Sequence, residues 1–168
     1  MAGPISDIEA CIPALRRYSY ALLRSRNDAD DLVHYTLLRA LDNLHTRHDD
    51  SDVRPWLFTI MHNLFISQMR KAKVRGRHLP TTDDIPNATG PAQEDSLRWR
   101  DMLRALDSLP EEQRSVVLLV SVEDLSYAET ARVLGVPIGT VMSRLSRARE
   151  RLRVATDEGV RPHLRRVK

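Results

Sequence analysis

The sequence is poor in the residues that mark several common protein classes. Its single cysteine, Cys11, allows neither an internal disulfide nor a cysteine metal cluster, and lying between Ile8 and Leu15 it is expected to be a buried small hydrophobe. The six glycines form no phosphate-binding loop or nucleophile elbow. No apolar run approaches the length of a membrane-spanning helix, and no basic region followed by an apolar one opens the chain. We therefore expect no enzyme, no cofactor, no small-molecule substrate and no membrane insertion, and we place the chain in the cytoplasm.

Aromatic residues make up only 5% of the 168 residues, and no stretch alternates polar and apolar side chains as a strand does. Apolar residues instead recur every three to four positions, which predicts an all-α fold. Between 79 and 96 the chain has Pro80, Pro86, Gly90 and Pro91 with few apolar residues, so this part reads as a flexible linker. The sequence thus predicts two small helical domains, residues 1–78 and 97–168.

The most informative stretch is DLSYAETARVLGVPIGTVMSRLSRARERL, residues 124–152. Ser126 and Glu129 have the spacing of a capping box, which satisfies free amide groups at a helix start. Gly135 suits the left-handed position at a helix end, and Pro137 suits the start of the next helix. Together these signals predict a helix-turn-helix whose second helix turns four apolar residues inward: Val141, Leu145, Ala148 and Leu152.

The outward side of that second helix is basic. From Ser126 onward the chain has ten Lys or Arg against four Asp or Glu, whereas residues 101–125 have six acids against two bases. A basic helix of Ser and Arg suits the major groove of DNA, where each base pair shows a distinct pattern of donors and acceptors. The sequence therefore predicts a DNA-reading face here, and the basic tail GVRPHLRRVK is expected to fray.

The N-terminal half is predicted to begin with a helix on the period of Ile5, Ile8, Ile12, Leu15 and Leu22, in which Pro13 either kinks the helix or starts its main part. Two further helices are predicted to follow it. One is capped by Asn27 or Asp28, with an inward stripe that includes Leu37 and Leu41. The other is opened by Pro55; the pattern predicts that its inward face holds Trp56, Leu57, Ile60 and Leu64 and that Phe58, His62, Asn63 and Phe65 lie off that face.

Three stretches in this order resemble one family. DADDLVHYTLLRAL at 28–41, RPWLFTIMHNLFISQMRK at 54–71 and the helix-turn-helix are similar to those of a bacterial RNA polymerase sigma factor of the extracytoplasmic-function group (group IV of the sigma-70 superfamily). The resemblance implies docking on core RNA polymerase by the first stretch, recognition and melting of the −10 promoter element by the second, and reading of the −35 element by the third. It also implies promoter DNA as a partner and a dedicated anti-sigma factor that silences the chain.

Individual residues follow from that resemblance. Core polymerase docking is expected of Asp30, Asp31, His34 and Arg39. The −10 element is assigned to Arg54, His62, Asn63, Arg70, Lys71 and Lys73, with the His45–Val53 loop beside a flipped base. The −35 element is assigned to Thr140, Met142, Ser143, Arg144, Ser146, Arg147 and Arg149, among which Arg147 is the best candidate for specificity.

Other readings are weaker. His45, His48, Asp49 and Asp50 form a short metal-like pattern, but without a distant third ligand they predict no metal site. A sigma mimic that titrates an anti-sigma factor would be expected to have a degenerate DNA face, whereas Arg144, Arg147 and Arg149 are present. A helix-turn-helix repressor would leave residues 28–71 unexplained, because it would need a dimer interface or sensor pocket there.

Overall fold

The computed structural model describes residues 3–48, 51–76 and 93–164. In these ranges there are seven α-helices and no strand, as the sequence predicts. The N-terminal half contains α1 (Pro4–Leu23), α2 (Arg26–Asp42), a short 3-10 turn (Leu44–Thr46) and α3 (Val53–Val74). The C-terminal half contains α4 (Gln93–Asp107), α5 (Glu111–Val117) with a π-helical turn (Leu118–Val122), α6 (Tyr127–Leu134) and α7 (Ile138–Leu164). No helix in the described ranges is long and apolar enough to cross a membrane.

The helix starts in the N-terminal half differ slightly from the predicted ones. The cap of α2 is Ser25, whose hydroxyl accepts a hydrogen bond from the Asp28 amide at 3.3 Å, so the expected cap at Asn27 or Asp28 was wrong. Helix α3 begins at Val53, before Pro55, and is capped by Asp52, whose carboxylate accepts from the Arg54 amide at 3.0 Å. Both caps satisfy backbone donors that have no partner inside the helix.

The predicted inward face of α3 was wrong in part. Leu57 is buried as expected, but so are Phe58, His62 and Phe65, which the sequence placed off that face. The Phe58 ring meets Tyr18 of α1 edge to face, with 5.2 Å between ring centroids. The cause is that α3 packs against α1 and α2 and also against α6 of the C-terminal half, so it is covered on more than one side.

Two smaller expectations also changed. Leu41, assigned to the inward stripe of α2, is 48% exposed, whereas Leu32, Val33 and Ala40 of the same stripe are buried. Cys11 is half-buried against the core, and burial raises the pKa of its thiol. Because the sequence predicts a buried cysteine, this expectation is met only in part.

The C-terminal half contains four α-helices, and two of their ends differ from the boundaries that the sequence predicts. Helix α4 begins at Gln93, so residues 93–96, which the sequence assigned to the linker, are helical; the linker between 79 and 92 lies outside the described residues. Helix α7 continues to Leu164, which corrects the expectation that the tail frays from residue 159; residues 165–168 lie outside the described part.

The helix-turn-helix has the predicted local geometry. The Ser126 hydroxyl accepts from the Glu129 amide at 3.1 Å, and the Glu129 carboxylate accepts from the Ser126 amide at 2.8 Å, which completes the capping box. Gly135 is left-handed, with φ of 65°, and its amide donates to the carbonyls that end α6. On α7, Val141, Leu145 and Ala148 are buried, and Leu152 packs against the core.

The two halves are not separate in this structure, because their buried side chains form one continuous cluster. Helix α1 contacts α5 and the π turn, and α3 contacts α6. Polar contacts also join the two halves: the Arg24 Nε atom lies 3.6 Å from Oδ1 of Asp107, and Arg114 donates to the Leu22 carbonyl at 3.4 Å. Helical units of this size bury too little surface alone to be more than marginally stable, so the shared core contributes to the stability of both.

The capping box generates a stability prediction. Ser126→Ala removes the hydroxyl that accepts from the Glu129 amide, so we expect the free energy of unfolding to fall by about 1 kcal/mol in urea unfolding. Ser126→Thr, which keeps a hydroxyl at the cap, should lose much less. Equal losses for the two variants would show that the cap bond contributes nothing measurable.

Candidate functional site

The outer face of α7 presents the predicted DNA-reading residues to solvent. Exposed side chains along it are Met142, Ser143, Ser146, Arg147 and Arg149. They stand opposite the buried stripe of Val141, Leu145 and Ala148, so packing fixes the orientation of the face. Ile138, one turn before Met142, is also exposed; the sequence analysis did not single it out, although it follows directly from the period of the face.

Two of the predicted −35 residues are less accessible. Thr140 is half-buried, and its carbonyl accepts a hydrogen bond from the Ser143 hydroxyl at 3.1 Å. Arg144 is also half-buried, with a guanidinium nitrogen 3.6 Å from the Glu112 carboxylate. Arg144 is thus partly neutralised by an acid of its own half, whereas Arg147 is not among the described ion pairs.

The predicted −10 residues divide into two sets. Asn63, Arg70, Lys71 and Lys73 are exposed on α3. Asn63 and Arg70 are seven residues apart, about two helical turns, so they lie on the same side of the helix. These four residues are therefore open to a nucleic acid as the structure stands. The loop from His45 to Val53 is described apart from residues 49 and 50.

Arg54 belongs to the second set, which faces the C-terminal half. Its Nη2 donates to a carboxylate oxygen of Glu123 at 2.7 Å and to the Glu123 carbonyl at 2.8 Å. Arg17 of α1 donates to both oxygens of the same carboxylate, through Nε and Nη2, each at 2.8 Å. The Glu123 side chain is completely buried. The hydrogen bonds that the Glu123 carboxylate accepts raise the pKa of Arg17 above its ordinary value.

His62 is the other covered residue. It is only 9% exposed, and within the described part of the chain its Nδ1 has no hydrogen-bond partner. Burial, assisted by the positive charge of Arg144, lowers the pKa of His62 to about 4. The imidazole is therefore neutral at pH 7, and it is not accessible to DNA in this arrangement.

The predicted polymerase-docking residues share the exposed side of α2. Asp30, Asp31, His34 and Arg39 are all exposed, as the sequence indicates. The structure adds an apolar group that sequence reasoning missed: Tyr35, Leu38 and Leu41 are also exposed. Their spacing of three residues was the available signal, since it forms a second apolar row on the polar side of the helix.

Comparisons with known families agree with this layout. Residues 99–152 match the family model "Sigma-70, region 4", and residues 8–62 match the model "Sigma2 domain of PhyR". The first match contains the helix-turn-helix, and the second contains α2 and the first half of α3.

Similar proteins cover nearly the whole chain. The chain is 40% identical over 149 residues to the ECF RNA polymerase sigma factor EcfG of Rhodopseudomonas palustris, a match that spans 87% of the chain and 81% of that protein. It is 38% identical over 138 residues to the ECF RNA polymerase sigma factor SigM of Mycobacterium tuberculosis, spanning 82% and 69%. The chain belongs to the ECF RNA polymerase sigma factors.

Solved structures give the same result for the fold. The sigma factor RpoE of Bartonella quintana, solved in complex with the anti-sigma factor NepR, superposes with a TM-score of 0.79 at 34% identity, over 91% of this chain and 96% of that one. CnrH, solved with the cytosolic domain of CnrY, superposes with a TM-score of 0.67 at 24% identity, over 93% of this chain and 90% of that one. The second likeness bears on the fold alone.

The buried His62 generates a pH prediction. Its pKa is about 4 in the folded chain and about 6.5 unfolded, so the unfolded state binds more protons between these values. Stability should therefore fall as the pH drops from about 6.5 to about 4, by roughly 1.4 kcal/mol for each unit of pKa difference.

The measurement is urea unfolding across that pH range for the natural chain and two variants. His62→Gln should flatten the pH dependence relative to the natural chain, whereas His45→Gln, which changes an exposed histidine, should not. The same slope for all three proteins would contradict the prediction.

Proposed function

We propose that this sigma factor directs promoter-specific transcription by dividing the work among three surfaces. Helix α2 docks on core RNA polymerase, α3 recognises and opens the −10 element, and the outer face of α7 reads the −35 element. The protein acts in the cytoplasm, where polymerase and DNA meet, and it has no catalytic chemistry of its own. The observation that carries the proposal is the exposed Arg147 face of a completely formed helix-turn-helix.

The face of α7 has the chemistry for direct readout. Arg147 can donate two hydrogen bonds to the O6 and N7 atoms of guanine, a pairing worth about 1–3 kcal/mol of discrimination. Ser143 and Ser146 can donate or accept, and Met142 offers an apolar contact for a thymine methyl group. Arg149 lies further along the exposed side, where a phosphate contact sets the register of the helix without reading sequence.

The basic end of α3 supports a role in opening the −10 element. Separating DNA strands costs about 1.4 kcal/mol per base-pair step, so a melting protein has to bind the separated strand. Arg70, Lys71 and Lys73 are exposed cations that suit the phosphates of that strand. Asn63 offers both a donor and an acceptor to an unpaired base on the same side of the helix.

The outer side of α2 is suited to a protein partner. An exposed apolar row of Tyr35, Leu38 and Leu41 lies among charged groups on the same helix. Apolar side chains surrounded by polar ones are typical of a protein interface, whose centre is apolar and whose rim is charged. The charges that the sequence assigned to docking, such as Asp31 and Arg39, therefore form the rim of this surface.

An anti-sigma factor is the expected regulator. The RpoE structure that superposes on both halves of this chain was solved with the anti-sigma factor NepR bound. The arrangement of the two halves seen here is therefore similar to that of a sigma factor held by an anti-sigma factor. We propose that a protein of this class binds the chain and keeps it from polymerase.

A second candidate is a mimic that titrates the anti-sigma factor, because residues 8–62 match the sigma2 domain of PhyR. One experiment separates the two candidates: purified chain, bacterial core polymerase and genomic DNA, with sequencing of transcript starts. New starts that share −35 and −10 elements support the sigma factor. Binding to core without new starts favours the mimic, and failure to bind core contradicts the proposed function.

The reading face generates a specificity prediction. Arg147→Ala should reduce transcription from the cognate promoter roughly 5- to 100-fold, as expected from the loss of one guanine contact. Core polymerase binding should not change, because Arg147 is far along the chain from α2. Arg151→Ala, an exposed arginine on the same helix, is the matched control. Equal transcription by both variants would remove Arg147 from the reading face.

The docking surface generates another prediction. Leu38→Glu places a charge in the exposed apolar row of α2 and should weaken binding to core polymerase at least tenfold in a fluorescence titration. Val74→Glu makes the same change at an exposed apolar residue at the end of α3 and should leave core binding intact. Unchanged affinity of the Leu38 variant would exclude the row from the interface.

A further inference from the structure

The junction of the two halves contains a buried ionic cluster. Glu123, whose side chain is 0% exposed, receives three side-chain hydrogen bonds from Arg17 and Arg54, and its carbonyl receives a further one from Arg54. The two arginines come from α1 and α3, and Glu123 follows the π turn of the C-terminal half. A buried carboxylate is costly unless it is paired and hydrogen-bonded. Glu123 is therefore satisfied only when both halves are together.

The backbone around Glu123 fixes its direction. Its amide donates to the Leu118 carbonyl at 2.9 Å, which closes the π turn, and the next residue, Asp124, is left-handed with φ of 55°. The Leu125 amide then donates to the Leu119 carbonyl at 2.9 Å. Wide turns of this kind are uncommon inside helical segments and are often found at functional sites.

The contact between the two halves limits the access of DNA to some of the predicted −10 residues on α3. The Nη2 atom of Arg54 is engaged by Glu123, although 38% of the Arg54 side chain stays exposed, and His62 is covered in the same arrangement. Of the predicted −10 residues, Asn63 and the basic residues near the end of α3 remain exposed. Two of the six predicted −10 residues, Arg54 and His62, thus contact or are covered by the other half of the protein.

The size of the closed molecule also indicates that the two halves have to separate on a promoter. The −35 and −10 elements are named by their positions relative to the transcript start, so they lie about 25 base pairs apart. This separation is about 85 Å along B-DNA. A compact chain of this length has a radius of gyration of about 15 Å and a diameter of about 40 Å. The closed molecule is too short to hold both elements together.

We propose that Glu123 is an intramolecular latch: it holds the two halves of the free protein closed through Arg17 and Arg54, and it keeps Arg54 engaged and His62 covered until the halves separate. The closure itself is independent of what the protein does. Its effect on transcription rests on the proposed function.

The first test uses the natural chain by itself, with small-angle X-ray scattering of the purified protein. A latched chain should have a radius of gyration near 15 Å. A value above about 20 Å, as for two separated halves, overturns the proposal without any variant.

The second test opens the latch. Glu123→Gln removes the charge, and Arg17→Ala removes one partner that has no assigned role in DNA or polymerase binding. Each should raise the radius of gyration toward about 20 Å. Glu9→Gln and Arg16→Ala, exposed neighbours on α1, are the matched controls and should remain compact. Far-UV circular dichroism verifies that the helices are retained.

The functional readout is transcription with limiting core polymerase, where the latch variants should give several-fold more product than the natural chain. Compact variants that behave like the controls overturn the latch. Extended variants with unchanged transcription, from a natural chain that does initiate, overturn the withholding of Arg54 and His62. A natural chain that is compact but never initiates contradicts the proposed function, and the role of Glu123 in closure is then decided by the scattering of the variants alone. If the variants do not fold, the radius of gyration of the natural chain alone decides whether the free protein is closed.

Discussion

The structure depends on the pairing of one completely buried carboxylate, Glu123, with guanidinium groups from two helices of the other half. Such a pair adds little net stability compared with apolar residues, because burying charges costs about as much as their attraction returns. A buried charge that is left without any partner, in contrast, typically costs 3–5 kcal/mol. That amount is a large part of the total stability of a small domain. The pair therefore acts chiefly through specificity: it selects one arrangement of the halves.

The same helix serves the core and the proposed function. Helix α3 uses Phe58 and Phe65 to fill the shared core, and it carries Arg54 and His62 at the junction and basic residues at its end. A helix that is covered on several sides has little surface left for another partner. Arg54 donates to Glu123 through Nη2, so a nucleic acid that draws this guanidinium away competes with the contact between the two halves.

Local sequence signals predicted the helix-turn-helix, whereas contacts between residues far apart in the sequence could not be predicted from it. Ser126 with Glu129 and the left-handed Gly135 act within one turn of the chain, so their spacing alone predicts the geometry found. The burial of Phe58 and His62 arises because α3 is packed against α1, α2 and α6, and periodicity within α3 contains no information about these neighbours. The burial of Glu123 could not be predicted either, because the sequence shows only one acidic residue among several and burial depends on tertiary packing. The residues assigned to promoter and polymerase contacts stay predictions, although most of them prove exposed.

Closure sets a thermodynamic condition on activation. The outer side of α2 is exposed while Arg54 is held by Glu123, so a polymerase surface can dock on the closed molecule before the −10 residues are free. A partner shifts an equilibrium only by the difference in its affinity for the two states. To move a chain from 1% to 99% open, core polymerase has to bind the open state about 10⁴-fold more tightly. Contacts made only by separated halves must supply that difference, and contacts on α2 alone do not, since α2 is equally available in both states.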